Sequence, residues 1–426
     1  MTYQQSLDYI HSLQKFGSKP GLERIRRLTD KMGNPEKKLK FVHITGTNGK
    51  GSTAVMAESV LRSAGYKTGL FISPYLENFR ERIQISRSLI SEQELAGLAA
   101  YTKEIIDAIT RDGYDHPTEF EAVTAMGLCH FARQKCDIVI LEVGMGGGND
   151  STNIISGCEA AVFTPIALDH AKWLGQTVFE IAREKSGIIK PGCPTVCCSG
   201  QSREALEAIT FQCSNQQTDL FVPDISNLRV FRADLSGSQF TWQNYCVNVP
   251  LAGEHQIQNT ITVIELIRVL RQRGWDISDD ALLQGIENVK WRGRLEVTGE
   301  HPLRIIDGAH NPAAIEVLSA AIDKFLTGRR LIAVMAMSLD KKPKSCVAAI
   351  ASRASVFIAT QVRGISGALP AEDVARLARS HCPEVLFHRD TECAINIALS
   401  RAGEDDVILA CGSLYMIGRA RGLLTK

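Results

Sequence analysis

The stretch that decides the fold is "HITGTNGKGSTA", His43 to Ala54. An apolar run, "KFVHIT" (40–45), leads into it, and a helical pattern, "TAVMAESVLRSAG" (53–65), leads out. Between strand and helix, Gly46, Gly49 and Gly51 permit a tight turn with its N–H groups pointing inward. The start of the helix adds the positive end of its dipole. Lys50 supplies a point charge, and Ser52 or Thr53 a hydroxyl for a hard cation. The combination reads as a cradle for a nucleoside triphosphate. It departs from the common G-x-x-x-x-G-K-[ST] pattern, because Ile44 stands at the first glycine position and Gly51 separates Lys50 from the hydroxyls.

Working outward, the same strand–turn–helix alternation recurs. "YKTGLFI", "CDIVILEV", "EAAVFTPI" and "CPTVCC" read as buried parallel strands, separated by helices such as "SEQELAGLAAYTKEIIDAIT". Around 219–250 the character changes to short alternating segments, "LRVFRADL", "SQFTWQ" and "YCVNVP", which predict antiparallel hairpins. After about residue 300 the alternation restarts with "LRIIDGA", "RLIAVMA", "SVFIAT", "EVLFH" and "DVILACG". The expected fold is therefore α/β, in two parts. An N-terminal P-loop-type parallel-sheet ATPase domain carries a small antiparallel β-sheet and spans 1–297, and a C-terminal Rossmann-like α/β domain spans 298–426. Two such domains frame a cleft, a usual place for ligands.

Composition narrows the function. The formal net charge is +1, so no global field favours nucleic acid or a membrane surface. No apolar run reaches the length of a membrane span, and "MTYQQSLDYIHSLQ" reads as an amphipathic helix rather than a signal peptide. The 12 cysteines include no CxxC pair, so buried free thiols in a reducing cytoplasm are expected. A cytoplasmic monomer is the expectation.

The string "GTNGKGS" resembles the ATP-dependent Mur ligase superfamily, and within it the folylpolyglutamate synthase and dihydrofolate synthase family. Further motifs follow in that family's order: "GLERI" (21–25), "SPYLENFRERI" (73–83), "PTEFEAVTAM" (117–126), "EVGMGGGNDSTN" (142–153), "ALDHAKWLG" (167–175) and "EKSGIIKPG" (184–192). After them come "LAGEHQIQN" (251–259), "WRGRLE" (291–296), "DGAHNP" (307–312) and "GSLY" (412–415). The resemblance implies a ligase that uses ATP and Mg²⁺ to activate a carboxylate of folate or dihydropteroate as an acyl phosphate, which the amine of L-glutamate then attacks.

Residue roles follow from the same resemblance. Asn48, Gly49, Lys50, Gly51, Ser52 and Thr53 would hold the ATP phosphates, joined by Asn259, Arg294 and Asp307. Ser73, Glu142 and His170 would bind metal. Of these, Glu142 also suits the role on its own reading, as a carboxylate ending an apolar strand. His170 rests on the resemblance alone, since imidazole is softer than Mg²⁺ usually takes. Lys50, Lys185 and His170 are the candidate catalytic residues, and in the family the lysine at position 185 is typically carbamylated. Gly21, Leu22, Glu23, Arg24, Thr118, Glu119, Phe120, Glu121, Asn149, Asp150 and Ser151 match the pterin-holding positions, with His310 and Ser413 on the glutamate side. Two strings depart from the family. "GGGNDSTN" replaces "GGRLDATN", and "SLDKK" replaces "GDKD", leaving Asp340 and Lys341 as the match. Two other readings compete. A Mur-type ligase acting on a cell-wall precursor would usually carry an extra domain ahead of the first strand. An ATP-binding switch protein without ligase chemistry gives "DGAHNP" and "EKSGIIKPG" no role.

Overall fold

The computed structural model describes residues 1–17, 19–362 and 367–425. The chain forms two compact units. The first takes in residues 1–167, 174–227 and 258–289, and the second residues 168–173, 228–257 and 290–426.

The first unit is built on an eight-stranded sheet. Its strands are β1 (Phe41–Thr45), β2 (Thr68–Phe71), β3 (Ile83–Ile85), β4 (Ser88–Leu89), β5 (Ile138–Glu142), β6 (Cys158–Phe163), β7 (Thr195–Cys197) and β8 (Leu220–Phe221). The order is β4-β3-β2-β5-β1-β6-β7-β8, parallel from β2 to β8, with β3 and β4 as an antiparallel edge. β1 lies between β5 and β6, and every one of its residues is buried. Strands enclosed on both faces need continuous apolar runs, which is what "FVHIT" and "IVILE" supply. Register sets the important edge: Ile44 pairs with Glu142, and Thr45 with Phe163, so the loops that follow leave from one level.

The helix Lys50–Ser63 is buried along Gly51 to Leu61, so it is enclosed rather than amphipathic. The helix Asp279–Glu287 lies against it at Gly285, where an added Cβ would sit 2.4 Å from the Cα of Val60. This backbone-to-backbone approach fixes the direction of the helix that the glycine loop opens.

Cysteine behaviour departs from expectation at one place. Cys158 and Cys193 form a disulfide, with Cα atoms 5.5 Å apart, while the other described cysteines are free. The cause is strand pairing: Ala161 of β6 is in register with Thr195 of β7, which sets the two strand starts side by side.

The second unit holds a three-stranded antiparallel sheet and a six-stranded one. The small sheet has β9 (Arg229–Asp234), β10 (Gly237–Trp242) and β11 (Tyr245–Val249). The larger contains β12 (Glu296–Glu300), β13 (Leu303–Ile306), β14 (Leu331–Met335), β15 (Val356–Ala359), β16 (Glu384–Phe387) and β17 (Val407–Cys411). Its order is β12-β13-β17-β14-β15-β16, parallel except for β12. Helices connect the parallel strands, as the alternation of apolar runs requires. No helix among the described residues is long and apolar enough to cross a membrane.

The substitution Gly285→Ala forces Val60 to yield and moves the helix behind the glycine loop. Overpacking of this kind costs about 1–3 kcal/mol. A urea denaturation series on G285A is expected to show a loss of that size; a midpoint equal to the parent's would contradict this packing.

Candidate active site

In the first unit, the ends of β1, β2, β5 and β6 converge on the glycine loop. Gly46 follows β1 with φ +148°, and an added Cβ would lie 1.9 Å from the Thr164 hydroxyl oxygen. Gly49 has φ +87°, and its added Cβ would meet the Asn259 side-chain oxygen at 2.7 Å. Glycine is required at both positions, for conformation and for space. The loop is tied down by β6's continuation: the N–H groups of Thr47 and Asn48 donate to the Pro165 carbonyl, at 2.9 and 3.3 Å. Thr47 Oγ1 donates to the Ala167 carbonyl and accepts from the Ala167 N–H, each at 3.0 Å. The helix then starts at Lys50, with the Gly51 and Ser52 N–H groups in its first turn, where a helix has donors to spare.

Two lysines meet on one carbonyl. Lys50 Nζ donates to Gly46 O at 3.2 Å and to Thr47 O at 3.3 Å. Lys185 Nζ, buried at the end of the helix Val178–Lys185, donates to the same Gly46 O at 2.8 Å. Gly147 makes that reach possible: a Cβ there would lie 2.3 Å from the Lys185 carbonyl oxygen, so the 146–148 backbone lies directly on the helix end. Two cations thus meet beside a glycine loop at a helix start, an arrangement suited to multiple negative charges.

Glu142, 5 % exposed, ends β5 next to this loop and accepts from the Ser73 N–H at 3.2 Å. Thr53 Oγ1 is buried without a hydrogen-bond partner. With Ser52, these give hard oxygen donors, which suits Mg²⁺ holding only a few protein ligands and keeping the rest as water and phosphate oxygens. Among the described residues, no three His, Cys, Asp or Glu side chains gather as a closed metal cage. Ser73 and Glu142 are thus brought together. His170 belongs to the second unit, where its Nε2 lies 3.0 Å from Lys341 Nζ.

The pterin candidates form a continuous structural set. Leu22 precedes the helix Glu23–Lys31, and the Gly21 N–H points to Asn149 O at 3.5 Å. Arg24 makes a two-pronged pair with Glu121, at 3.1 and 3.2 Å. Glu121 also closes a capping box with Thr118 at the start of the helix Glu119–Arg133. Its carboxylate is therefore engaged in holding two helices together. Glu119 faces Arg82 at 3.9 Å, and the Phe120 ring lies where a Gly144 Cβ would be, 2.5 Å from its Cζ. Asn149 donates its N–H and its amide to Glu184 Oε1, each at 3.2 Å. Asp150, its pKa raised by burial, caps the turn Ser151–Ile154 and accepts from Thr152 and from the Met145 N–H. Sequence reasoning missed the continuation of this network: Thr152 Oγ1 lies 2.8 Å from His43 Nε2, and Lys190 Nζ donates to Asn153 Oδ1 at 2.8 Å. Burial, then the charge of Arg26, pulls Lys190 down to about 8. The apolar surroundings of His43 in "FVHIT" and the loop position of Lys190 concealed both.

In the second unit the ends of β13, β17 and β14 supply the candidates. Asp307 follows β13 and accepts from the N–H groups of Leu295 and Ala309, both at 2.7 Å. Burial raises its pKa, and Arg294 opposes the rise. Asp307 thus knits the Arg294 segment to the "DGAHNP" turn, while Gly308 leaves room for the Arg294 guanidinium, 2.3 Å from where its Cβ would be. His310 donates Nδ1–H to Gly308 O at 2.8 Å, and burial lowers its pKa to about 4, so it is a neutral imidazole whose Nε2 carries a lone pair. Ser413 follows β17 and stands at the N-cap position of the helix Leu414–Leu424, with no capping bond from its side chain. Asp169 and Lys341 were missed as partners: Lys341 Nζ donates to Asp169 Oδ1 at 2.7 Å, and Asn311 donates to Asp169 Oδ2 at 3.2 Å. Burial pushes Asp169 up, but the charge of Lys341 and its hydrogen bond oppose the rise, and the carboxyl is held low. The strings "LDH" and "SLDKK" contained these residues with nothing to pair them.

Comparison with known proteins decides the family. The Mur ligase middle domain matches residues 44–267, and the Mur ligase glutamate ligase domain matches 293–414. The dihydrofolate synthase/folylpolyglutamate synthase of Bacillus subtilis (strain 168) is 34% identical, over 98% of both chains. The chain belongs to the folylpolyglutamate synthase/dihydrofolate synthase family of the Mur ligase superfamily. The Lacticaseibacillus casei folylpolyglutamate synthase is 31% identical over 100% of this chain and 99% of its own. Among solved structures, E. coli FolC in complex with DHPP and ADP superposes with a TM-score of 0.87 at 27% identity, covering 100% of this chain and 98% of that one. The Mycobacterium tuberculosis folylpolyglutamate synthase complexed with ADP and AMPPCP also gives 0.87, at 29% identity and 99% of both chains. Members of this family are ATP-dependent amide ligases, and so is this chain.

Two substitutions test the loop. Lys50→Ala removes one of the two ammonium groups on the Gly46 carbonyl, and losing a donor to a transferring phosphoryl group costs about 3–4 kcal/mol of transition-state stabilisation. Turnover of K50A is expected to fall on the order of a hundredfold or more with the melting temperature kept; near-normal turnover would remove Lys50 from the phosphate site. Glu142→Gln keeps the shape and loses the charge. The Mg²⁺ titration of E142Q activity is expected to shift to higher concentration, and curves that overlay would exclude Glu142 as a ligand.

Proposed function

We propose that this chain adds L-glutamate to folates, to dihydropteroate, or to both, by way of an acyl phosphate. The observation that carries the reading is the pair of lysines on Gly46 O, beside a glycine loop at a helix start. A carboxylate resists attack by an amine in water until one of its oxygens becomes a leaving group. The loop is suited to take ATP with Asn48, Gly49, Gly51, Ser52 and Thr53 around the phosphates and Lys50 against the γ-phosphoryl oxygens. Lys50 would leave the Gly46 carbonyl for phosphate oxygens, a stronger, charge-assisted partner. If Lys185 is carbamylated, one N–H remains to keep its bond to Gly46 O.

Ser73, Glu142 and His170 are the residues that would hold Mg²⁺, which when bound neutralises charge on the phosphate oxygens. Asn259, Arg294 and Asp307 are the further residues proposed to meet the nucleotide. Gly21 to Arg24, Thr118 to Glu121 and Asn149 to Ser151 would position the pterin end, so that the carboxylate meets the phosphoryl group in line. His310 Nε2 can accept a hydrogen bond from the glutamate amine, and Ser413 can donate to its carboxylate. The functional boundary falls at 297/298. The protein acts as a monomer, since one chain supplies every role. It works in the cytoplasm, a placement supported by its many unbonded cysteines. Resemblance to folate-named relatives along the whole chain favours this reading over a cell-wall-precursor ligase or a switch protein.

The test uses purified protein with Mg-ATP, labelled glutamate and either dihydropteroate or tetrahydrofolate, with products resolved by mass. The expected result is a product heavier by one glutamyl residue, with ADP released only when both co-substrates are present. ADP release that ignores folate and glutamate, with no conjugate formed, would overturn the proposal.

A further inference from the structure

We infer that Lys341 is a resident cation on His170, competing with a divalent metal ion for the imidazole lone pair. The inference rests on the reading of His170 as a metal ligand. Lys341 follows β14 in a short turn and is 9 % exposed. Its ammonium has donors only, so the 3.0 Å approach to His170 Nε2 requires that nitrogen to be the acceptor, with its lone pair aimed at Nζ. One lone pair serves one electrophile. A metal ion that takes His170 Nε2 must therefore displace the ammonium.

The surroundings are arranged to retain Lys341 through that exchange. Asp169 Oδ1 accepts from Lys341 at 2.7 Å and from the His170 N–H at 2.8 Å, so one carboxylate oxygen holds both the ammonium and the backbone of the ligand. Asp169 Oδ2 is fixed by the Asn311 amide, which itself belongs to the cap of the helix Pro312–Phe325. On the other side Asp340, mostly exposed, lies 3.8 Å from Nζ and offers a second anchor for a displaced ammonium. His170 also has φ +50°, a conformation that a histidine adopts at a cost, and the Asp169 contact to its N–H helps hold it there. Lys341 thus keeps the imidazole oriented and its lone pair occupied, and loading of metal would couple to movement of a charged side chain.

Mn²⁺ serves as the probe, followed by electron paramagnetic resonance on the full chain at fixed ADP. Lys341→Met and Lys341→Gln, the second able to keep a bond to Asp169, are expected to bind Mn²⁺ more tightly than the parent by about fivefold or more, the size of an ordinary coupling between sites. In a His170→Ala background the same Lys341 changes should leave Mn²⁺ affinity unchanged. Unaltered or weaker binding in both folded Lys341 variants would overturn the inference, as would a gain that persists without His170, since a long-range field rather than competition would then explain it. Should His170→Ala alone bind Mn²⁺ as the parent does, the assignment of His170 as a ligand fails, a result distinct from failure of the competition.

Discussion

The glycine loop of this molecule depends on the approach of Gly46 to Thr164. β1 and β6 pair to their last residues, and the chain leaving β1 must turn with no space for a side chain. From that one constraint follow the presentation of the Gly46 carbonyl to two lysines, the clamping of Thr47 and Asn48 on Pro165, and the entry of the chain into the helix Lys50–Ser63. Gly285 holds the far side of that helix against Val60. The loop is therefore shaped before any ligand arrives, which is the condition for electrostatic stabilisation without reorganisation.

Charge is distributed around that loop with economy. Lys50 and Lys185 both donate to the Gly46 carbonyl, and Lys50 also donates to that of Thr47. Glu142 stands nearby as the fixed negative group, oriented by the Ser73 N–H. In the second unit the logic differs. Asp307 spends its charge on backbone N–H groups to fix the "DGAHNP" turn, and Asp169 spends its own on Lys341.

How far the sequence revealed this varies with the kind of signal. The parallel strands were legible because burial on both faces demands unbroken apolar runs, as in "IVILE" and "VILAC". The glycine loop was legible because only glycine tolerates its geometry. The edge hairpin of β3 and β4 was not, since "IQISRSL" is short and half exposed. The disulfide was hidden because it depends on the register of β6 and β7, which no local pattern encodes. At the site, Glu142 stood out as a charge closing an apolar strand. The role of Glu121 was harder to see: its pairing with Arg24 spans most of a hundred positions, and a capping box reads the same whether or not a ligand is near. Lys341 and Asp169 lie still farther apart in sequence, and only the fold makes them neighbours.

The central claim is that the glycine loop serves to transfer a phosphoryl group onto a carboxylate, and its most direct test follows oxygen. Dihydropteroate or folate labelled with ¹⁸O in the reacting carboxylate, turned over with ATP and glutamate, should give an amide that keeps one labelled oxygen and inorganic phosphate that carries the other. Phosphate free of label, alongside normal amide formation, would contradict an acyl phosphate and with it this account of the site.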